Sequence, residues 1–123
     1  MITVKISADS KYPVDRVRIR GAVKKATNEY GLTGAVIGIL VVGERKMADL
    51  NKKWMKRQGP TDVLSFPMEG GFDEIDGPYI LGDVVVCYPQ AVKQAGEKNI
   101  LVDDEIDALV EHGVRHLLGE HHE

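Results

Sequence analysis

Apolar and polar residues follow one another in patterns that divide the chain into strands and helices. The segment ITVKIS (2–7) alternates between the two kinds, as a half-buried strand does. The run AVIGILVVG (35–43) is continuously apolar and rich in β-branched residues, which is typical of a central strand buried on both faces. Two further strands are predicted in DVLSF (62–66) and YILGDVVVCY (79–88).

Helical segments separate these strands. Pro13 opens the first helix, which continues to about Tyr30 and stops at Gly31. A second helix is predicted over ERKMADLNKKWM (44–55), with a buried side made by Met47, Leu50 and Trp54. The later segments are a mobile acidic loop, PMEGGFDEIDGP (67–78), and two helices, PQAVKQAGEKN (89–99) and VDDEIDALVEHGVRHLLG (102–119).

The last helix is the most informative one. Its apolar stripe consists of Ile106, Leu109, Val110, Gly113 and Leu117. Two histidines lie about 100° to one side of that stripe, where the helix leaves the core and a cleft would form. The first turn carries three acids that favour the positive end of the helix dipole, and we interpret them as caps: Asp103, Asp104 and Glu105.

All four histidines fall within the last twelve residues, in the sequence HGVRHLLGEHH. On a helix, His112 and His116 project from one face, with Cβ atoms roughly 5–6 Å apart. Gly119 then ends the helix and lets the chain double back, which brings a third imidazole toward the pair. His121 and His122 compete for that place, and the spacing favours His122. Three neutral imidazoles with an open fourth position describe a catalytic zinc site, with one zinc ion per chain.

The residue after the first histidine argues against a zinc peptidase. Peptidases of the HExxH type carry their general base there, whereas this chain has Gly113. Glu111 precedes His112 and points about 100° away around the helix, so it does not replace that base. In the alternative interpretation, His112 and His116 are ordinary surface residues. This alternative explains poorly why the first 111 residues contain no histidine.

Length and composition predict a single soluble domain over residues 1–123. The chain is 43% hydrophobic and 28% charged, as is ordinary for globular proteins. Its one cysteine, Cys87, cannot form an internal disulfide and is interpreted as a small buried hydrophobe. Without a signal peptide or an apolar run near 18 residues, we expect a reducing, cytoplasmic location and no membrane partner.

Charge is distributed unevenly along the chain. Residues 1–60 have a net charge of +8 and residues 61–123 a net charge of −11. A cluster that could hold a phosphate backbone consists of Lys52, Lys53, Lys56 and Arg57. The alternative, a solvated helix face, applies above all to the evenly spaced arginines Arg16, Arg18 and Arg20.

Three motifs resemble one known family. HGVRHLLGEHH is similar to the HGxLHLxGYDH signature of the YbeY-type rRNA maturation endoribonucleases. ADLNKKWMKRQGPTDVLSFP resembles that family's LNxxYR segment running into TDVLSFP, and LGDVVVCYP resembles its LGDIVI strand. The resemblance implies an α+β fold with a mixed four-stranded β-sheet packed with helices, and a zinc site at the C-terminal end of the last helix. It also implies metal-dependent cleavage of single-stranded RNA, with ribosomal RNA and ribosomal particles as partners.

Several positions depart from the family pattern. Met55 stands where the family has an arginine, and we expect Lys56 or Arg57 to substitute, with Arg57 as the candidate catalytic cation. The other departures are Arg115 for a leucine, and Glu120 and His121 for the tyrosine and aspartate before the third histidine. The chain also ends one residue after His122. Met55 and this short C-terminus favour an alternative, a noncatalytic ribosome-associated zinc-binding factor.

Two aspartates are candidates for orienting an imidazole N–H. They are Asp62 in TDV and Asp83 in LGD, and the alternative for both is a structural role in a turn or at a strand edge. Zinc would lower the pKa of a bound water to about 7 and polarise a phosphoryl oxygen. The sequence leaves open whether the attacking group is that water or the 2′-hydroxyl of the RNA.

Overall fold

The computed structural model describes residues 1–68 and 79–119, which form one sheet with helices on both of its faces. The strands are β1 (Ile2–Ala8), β2 (Ala35–Val42), β3 (Val63–Pro67) and β4 (Ile80–Cys87). The helices are α1 (Arg16–Glu29), α2 (Glu44–Leu50), α3 (Tyr88–Lys98) and α4 (Val102–Leu117). None of these helices is long and apolar enough to cross a bilayer. The loop predicted over 67–78 lies outside the described residues except for Pro67 and Met68.

The four strands are ordered β1-β2-β4-β3 in the sheet. β1, β2 and β4 run parallel, while β3 is antiparallel to β4 and forms one edge. This arrangement confirms the predicted α+β class and mixed four-stranded sheet. β2 lies between β1 and β4, which confirms the predicted central strand, but its residues alternate between fully and partly buried, so the expected burial on both faces is incomplete. One face of the sheet is therefore covered more completely than the other.

Helices α1 and α4 cover the better-buried face. Ile19 and Val23 of α1 meet Ile106, Val110 and Val114 of α4 in one core cluster with β2 and β4. All five side chains are at most 1% exposed, and each such burial contributes about 1.5–3 kcal/mol. The whole predicted stripe of α4 is buried, which confirms its orientation.

The first helix begins later than predicted. Its first residue is Arg16. The predicted start at Pro13 is wrong, because Asp15 is the N-cap of the helix. The Asp15 carboxylate accepts a hydrogen bond from the Arg18 backbone N–H at 3.1 Å, which satisfies a donor left free at the helix start. At the other end, Gly31 has a φ of 69° and stops the helix as predicted.

Arg18 and the acidic first turn of α4 form structural contacts. The Arg18 guanidinium lies 2.8 Å from the Asp104 carboxylate and 2.6 Å from that of Asp107, so this partly exposed side chain links α1 to α4. The hydrogen bond from Arg18 lowers the pKa of Asp104. Asp104 also accepts from the backbone N–H before the helix, which confirms its role as a cap. Glu105 is no cap, because it is buried and pairs with Lys98 at 2.8 Å.

The second helix differs most from its prediction. Regular α-helix ends at Leu50, and Asn51–Met55 form a π-helical turn. A π-turn holds more residues than an α-turn, so position i+7 from Met47 leaves the buried side. Met47 is fully buried as predicted, but Trp54 is 59% exposed, and its assignment to the core is wrong.

Cys87 lies at the end of β4 with no exposed surface. It packs with Met47, Leu64 and Val85 on the sheet face opposite α1 and α4. Burial raises the pKa of its thiol, which keeps the side chain in the uncharged form. The interpretation of Cys87 as a small buried hydrophobe is confirmed.

Candidate metal centre

His112 and His116 face each other on the last two turns of α4. Their Nε2 atoms lie 3.1 Å apart, and their ring centroids are separated by 4.5 Å. Two imidazole nitrogens bound to one tetrahedral zinc at 2.0–2.1 Å would stand about 3.3 Å apart. The pair therefore fits two neighbouring ligand positions of a single zinc ion.

The third ligand of the predicted site, His122, lies outside the described residues, as does its competitor His121. Within residues 1–68 and 79–119, no third histidine, cysteine or carboxylate joins the pair to complete a metal site. The helix stop that the prediction needs is present. Gly119 has a φ of 93°, and its N–H donates to the His116 carbonyl at 3.1 Å. The assignment of His122 stays a prediction.

The two histidines open onto a cleft of about 450 Å³ beside the sheet edge. Strand β3 lines the cleft together with the end of the π-helical turn and the loop that follows it. Besides His112 and His116, the lining residues are Asn51, Met55, Arg57, Thr61, Asp62, Val63, Leu64, Ser65 and Pro67. Among the described lining residues, Arg57 is thus the one lysine or arginine that shares the cleft with the histidine pair.

Hydrogen bonds fix the backbone of the segment that carries Arg57. Lys56 adopts the left-handed conformation with a φ of 55°, and the Arg57 N–H donates to the Asn51 carbonyl at 3.3 Å. The Asn51 side chain is buried and donates to the Gly59 carbonyl at 2.9 Å. Buried polar groups that are satisfied in this way fix a loop in place. Sequence reasoning did not single out Asn51, although it belongs to the LN pair of the motif.

The four residues of the predicted RNA track divide between two places. Arg57 lines the cleft of the histidine pair, next to Met55. Lys52, Lys53 and Lys56 are exposed on the π-helical turn and its end, outside the lining of that cleft. Their role in RNA binding stays a prediction, and of the four only Arg57 lines the cleft beside the histidine pair.

Gly113 permits the close approach of α4 to the sheet. A Cβ at this position would overlap Cγ1 of Val84 and would lie 3.2 Å from Oγ of Ser65. The Ser65 hydroxyl donates to the Gly113 carbonyl at 2.9 Å, which ties β3 to α4 between the two histidines. Sequence reasoning missed this contact, which joins residues 48 positions apart.

The same geometry argues against the peptidase alternative. Position 113 faces the sheet and not the cleft, so no side chain there could act on a substrate beside the histidines. Glu111 is engaged elsewhere, at 3.2 Å from Lys25 and 3.4 Å from Arg115. Neither position supplies the general base of an HExxH peptidase.

The two aspartates predicted to orient an imidazole separate in the structure. Asp62 lines the cleft, and its carboxylate accepts a hydrogen bond from Gln94 at 3.2 Å. The prediction that Asp83 orients an imidazole of the histidine pair is wrong. Side chains alternate along β4, so Val84 faces α4 while Asp83 opens onto a cavity on the opposite face of the sheet.

The fold and the cleft define a class: an α+β protein with a candidate histidine metal centre near the C-terminal end of a helix. The family model described as Endoribonuclease YbeY matches residues 5–123. The chain is 38% identical to Endoribonuclease YbeY of Thermobifida fusca, over 98% of this chain and 81% of that protein. It is 40% identical to that of Acidothermus cellulolyticus, over 98% and 79%. This chain therefore belongs to the YbeY endoribonuclease family.

A solved structure agrees with this assignment at the level of the fold. The solution structure of a Thermotoga maritima protein aligns with a TM-score of 0.59 at 26% sequence identity. The alignment covers 100% of this chain and 75% of that one. The relative from Aquifex aeolicus, also named Endoribonuclease YbeY, is 36% identical over 92% of this chain and 73% of its own length.

Proposed function

We propose that this chain is a zinc-dependent endoribonuclease that cleaves single-stranded RNA during maturation of ribosomal RNA. The observation that carries the proposal is the His112–His116 pair, with Nε2 atoms 3.1 Å apart on a cleft that also contains Arg57. Membership of the YbeY family supports endonucleolytic cleavage of RNA. The noncatalytic ribosome-associated factor is not favoured, because the curated relatives are named as endoribonucleases.

The described residues of the cleft have roles that their positions allow, and His122 is the predicted third ligand beside them. We assign zinc to His112, His116 and His122, and when bound it supplies Lewis acidity toward a phosphoryl oxygen or a water. Arg57 would hold the negative charge of the phosphate, because a guanidinium binds phosphate oxygens in a fixed fork geometry. Asp62, held by Gln94, is the carboxylate on the cleft lining that could accept a proton.

Ribosomal particles are the proposed setting for this activity, in the cytoplasm. The buried, unpaired Cys87 is compatible with a reducing compartment. The exposed lysines of the π-helical turn give the cleft a positively charged approach, which suits a highly charged RNA partner.

The nature of the attacking group and of the substrate is tested with matched strands. Zinc-loaded protein is incubated with a single-stranded RNA, with the same strand carrying deoxyribose at the scissile nucleotide, and with an unfolded protein. We expect cleavage of the RNA and no proteolysis. Loss of cleavage on the deoxy strand indicates attack by the 2′-hydroxyl, and retained cleavage indicates attack by water. Chelator-sensitive proteolysis with intact RNA would contradict the proposal.

The RNA track can be tested by charge reversal. Changing Lys52 and Lys56 to glutamate is expected to weaken RNA binding and to flatten its salt dependence. Each lost phosphate contact lowers the slope of log K against log salt by about 0.7 on single-stranded RNA. The matched control reverses two exposed cations of α1, Arg20 and Lys24, and keeps the wild-type slope. Equal slopes in both double variants would assign the lysines to a solvated face.

A further inference from the structure

A second cavity, which we call the Trp54 groove, lies on the sheet face opposite α1 and α4. Its volume is about 530 Å³. Its lining residues are Leu40, Leu50, Trp54, Phe66, Asp83 and Val85, together with Lys46 and Pro67. The proposed nuclease centre uses none of these side chains, although the groove combines an apolar floor, an aromatic wall and one carboxylate.

Trp54 is the wall of this groove. Its indole packs edge-on against Phe66, with ring centroids 6.4 Å apart and ring planes at 72°. The Lys53 ammonium lies 5.2 Å from the indole centroid, within the range of a cation–π contact. The ring is held by these neighbours, yet 59% of the residue is exposed. An indole that is fixed and still open is a suitable platform for stacking a planar ring.

Asp83 supplies the polar group of the groove. It is paired in register with Gly38 of β2, and a Cβ at Gly38 would overlap the Asp83 carboxylate. The absence of a side chain on the neighbouring strand therefore gives this carboxylate its place over the sheet. Among the described residues, no side-chain hydrogen bond or ion pair engages the Asp83 carboxylate, although Lys46 lines the same groove. An open carboxylate beside apolar side chains is an acceptor for N–H groups of a ligand.

The Trp54 groove adjoins the cleft of the histidine pair. Pro67, at the end of the edge strand β3, lines both cavities. Met55 lines the histidine cleft, while its neighbour Trp54 lines the groove. The two cavities therefore meet at the β3 edge of the sheet.

We propose that the Trp54 groove binds a guanine base of the single-stranded RNA, adjacent to the phosphate held at the histidine cleft. The base stacks on the Trp54 indole, and its N1–H and N2–H groups donate to the two oxygens of Asp83. No other standard base presents two neighbouring N–H donors on its Watson–Crick edge, so a paired acceptor selects guanine. Lys46 and Lys53 neutralise flanking phosphates, which favours RNA over an uncharged partner. This inference rests on the proposed function.

Trp54 is the only tryptophan in the chain, so its fluorescence reports directly on the groove. Zinc-loaded protein is mixed rapidly with a dye-labelled uridine strand that carries one guanine, and binding is recorded before cleavage. The same strand with inosine lacks the N2 amino group. We expect guanine to quench Trp54 and to bind about 10-fold more tightly than inosine. Dye anisotropy measures total binding in parallel.

Two variants separate stacking from base selection. Asp83→Asn is nearly isosteric and should abolish the preference for guanine over inosine, while the control Asp49→Asn, an exposed carboxylate of α2, keeps it. Trp54→Ala should weaken binding about 5- to 100-fold by anisotropy, and Trp54→Phe should retain most of it.

The outcomes distinguish this subsite from the nuclease itself. If RNA binds and is cleaved while Trp54 fluorescence stays constant, or if Asp83→Asn keeps the guanine preference, the base subsite is wrong and the groove serves another partner, such as a protein. If anisotropy shows no RNA binding at all, the subsite and the proposed function fail together.

Discussion

Replacing His112 with alanine is expected to lower the affinity for zinc by more than about 100-fold and to abolish RNA cleavage. Even the loss of a group that only supports a ligand costs roughly 10–100-fold in metal affinity, so the loss of a ligand costs more. His112 is exposed on α4, and its truncation leaves the packing of the core unchanged. Metal content after dialysis, circular dichroism and cleavage of a labelled RNA measure the effect.

The same measurement on the other histidines identifies the full ligand set. His116→Ala should behave as His112→Ala does, because the two Nε2 atoms face one point. His122→Ala should also lose zinc, whereas His121→Ala should keep it. The reverse result for these two variants would assign the third ligand to His121. Full zinc occupancy in His112→Ala would show that the pair does not bind the metal.

Gly113→Ala is expected to destabilise the fold although alanine is the better helix former. An added Cβ would overlap Cγ1 of Val84 and would lie 3.1 Å from Cγ2 of the same side chain. Val84 is fully buried and β-branched, so it cannot move aside freely. Overpacking of this kind costs typically about 1–3 kcal/mol of the free energy of unfolding. Denaturant unfolding of the purified variant measures it.

Two further variants separate overpacking from helix propensity. Gly96 lies in α3, and an added Cβ there meets nothing within 4 Å. Gly96→Ala should therefore stabilise the protein by about 0.5–1 kcal/mol. The double variant Gly113→Ala/Val84→Ala should fall below additivity, because the second change removes the obstacle to the first. Strict additivity of the two losses would show that the contact does not limit residue 113.

Local patterns in the sequence predicted most of the framework. The alternation in β1 and the stripe of α4 each follow from one element burying one face, and the apolar run of β2 follows from its place inside the sheet. The histidine pair could also be predicted, because positions i and i+4 of a helix share a face whatever surrounds them. Gly119 with its positive φ ends α4 as its sequence position indicates.

What the sequence did not predict depends on long-range or subtle backbone geometry. The π-helical turn at Asn51–Met55 has no side-chain signature, and it turns Trp54 from the core to the surface. Asp83 belongs to the LGD motif, which made it a candidate partner of the histidines, yet α4 packs on the side of the sheet that Val84 and Ser65 face. The ion pair between Arg18 and Asp104 could not be predicted either, because the two residues are 86 positions apart in the sequence and meet only when α1 packs on α4.

The most direct test of a zinc-dependent nuclease at the histidine pair is a titration of the metal-free protein with zinc, with the initial rate of single-stranded RNA cleavage as the readout. We expect no cleavage without metal, a rate that rises to a plateau at one equivalent of zinc per chain, and loss of that plateau in His116→Ala. Cleavage by the metal-free protein, or an unchanged titration in His116→Ala, would contradict the account.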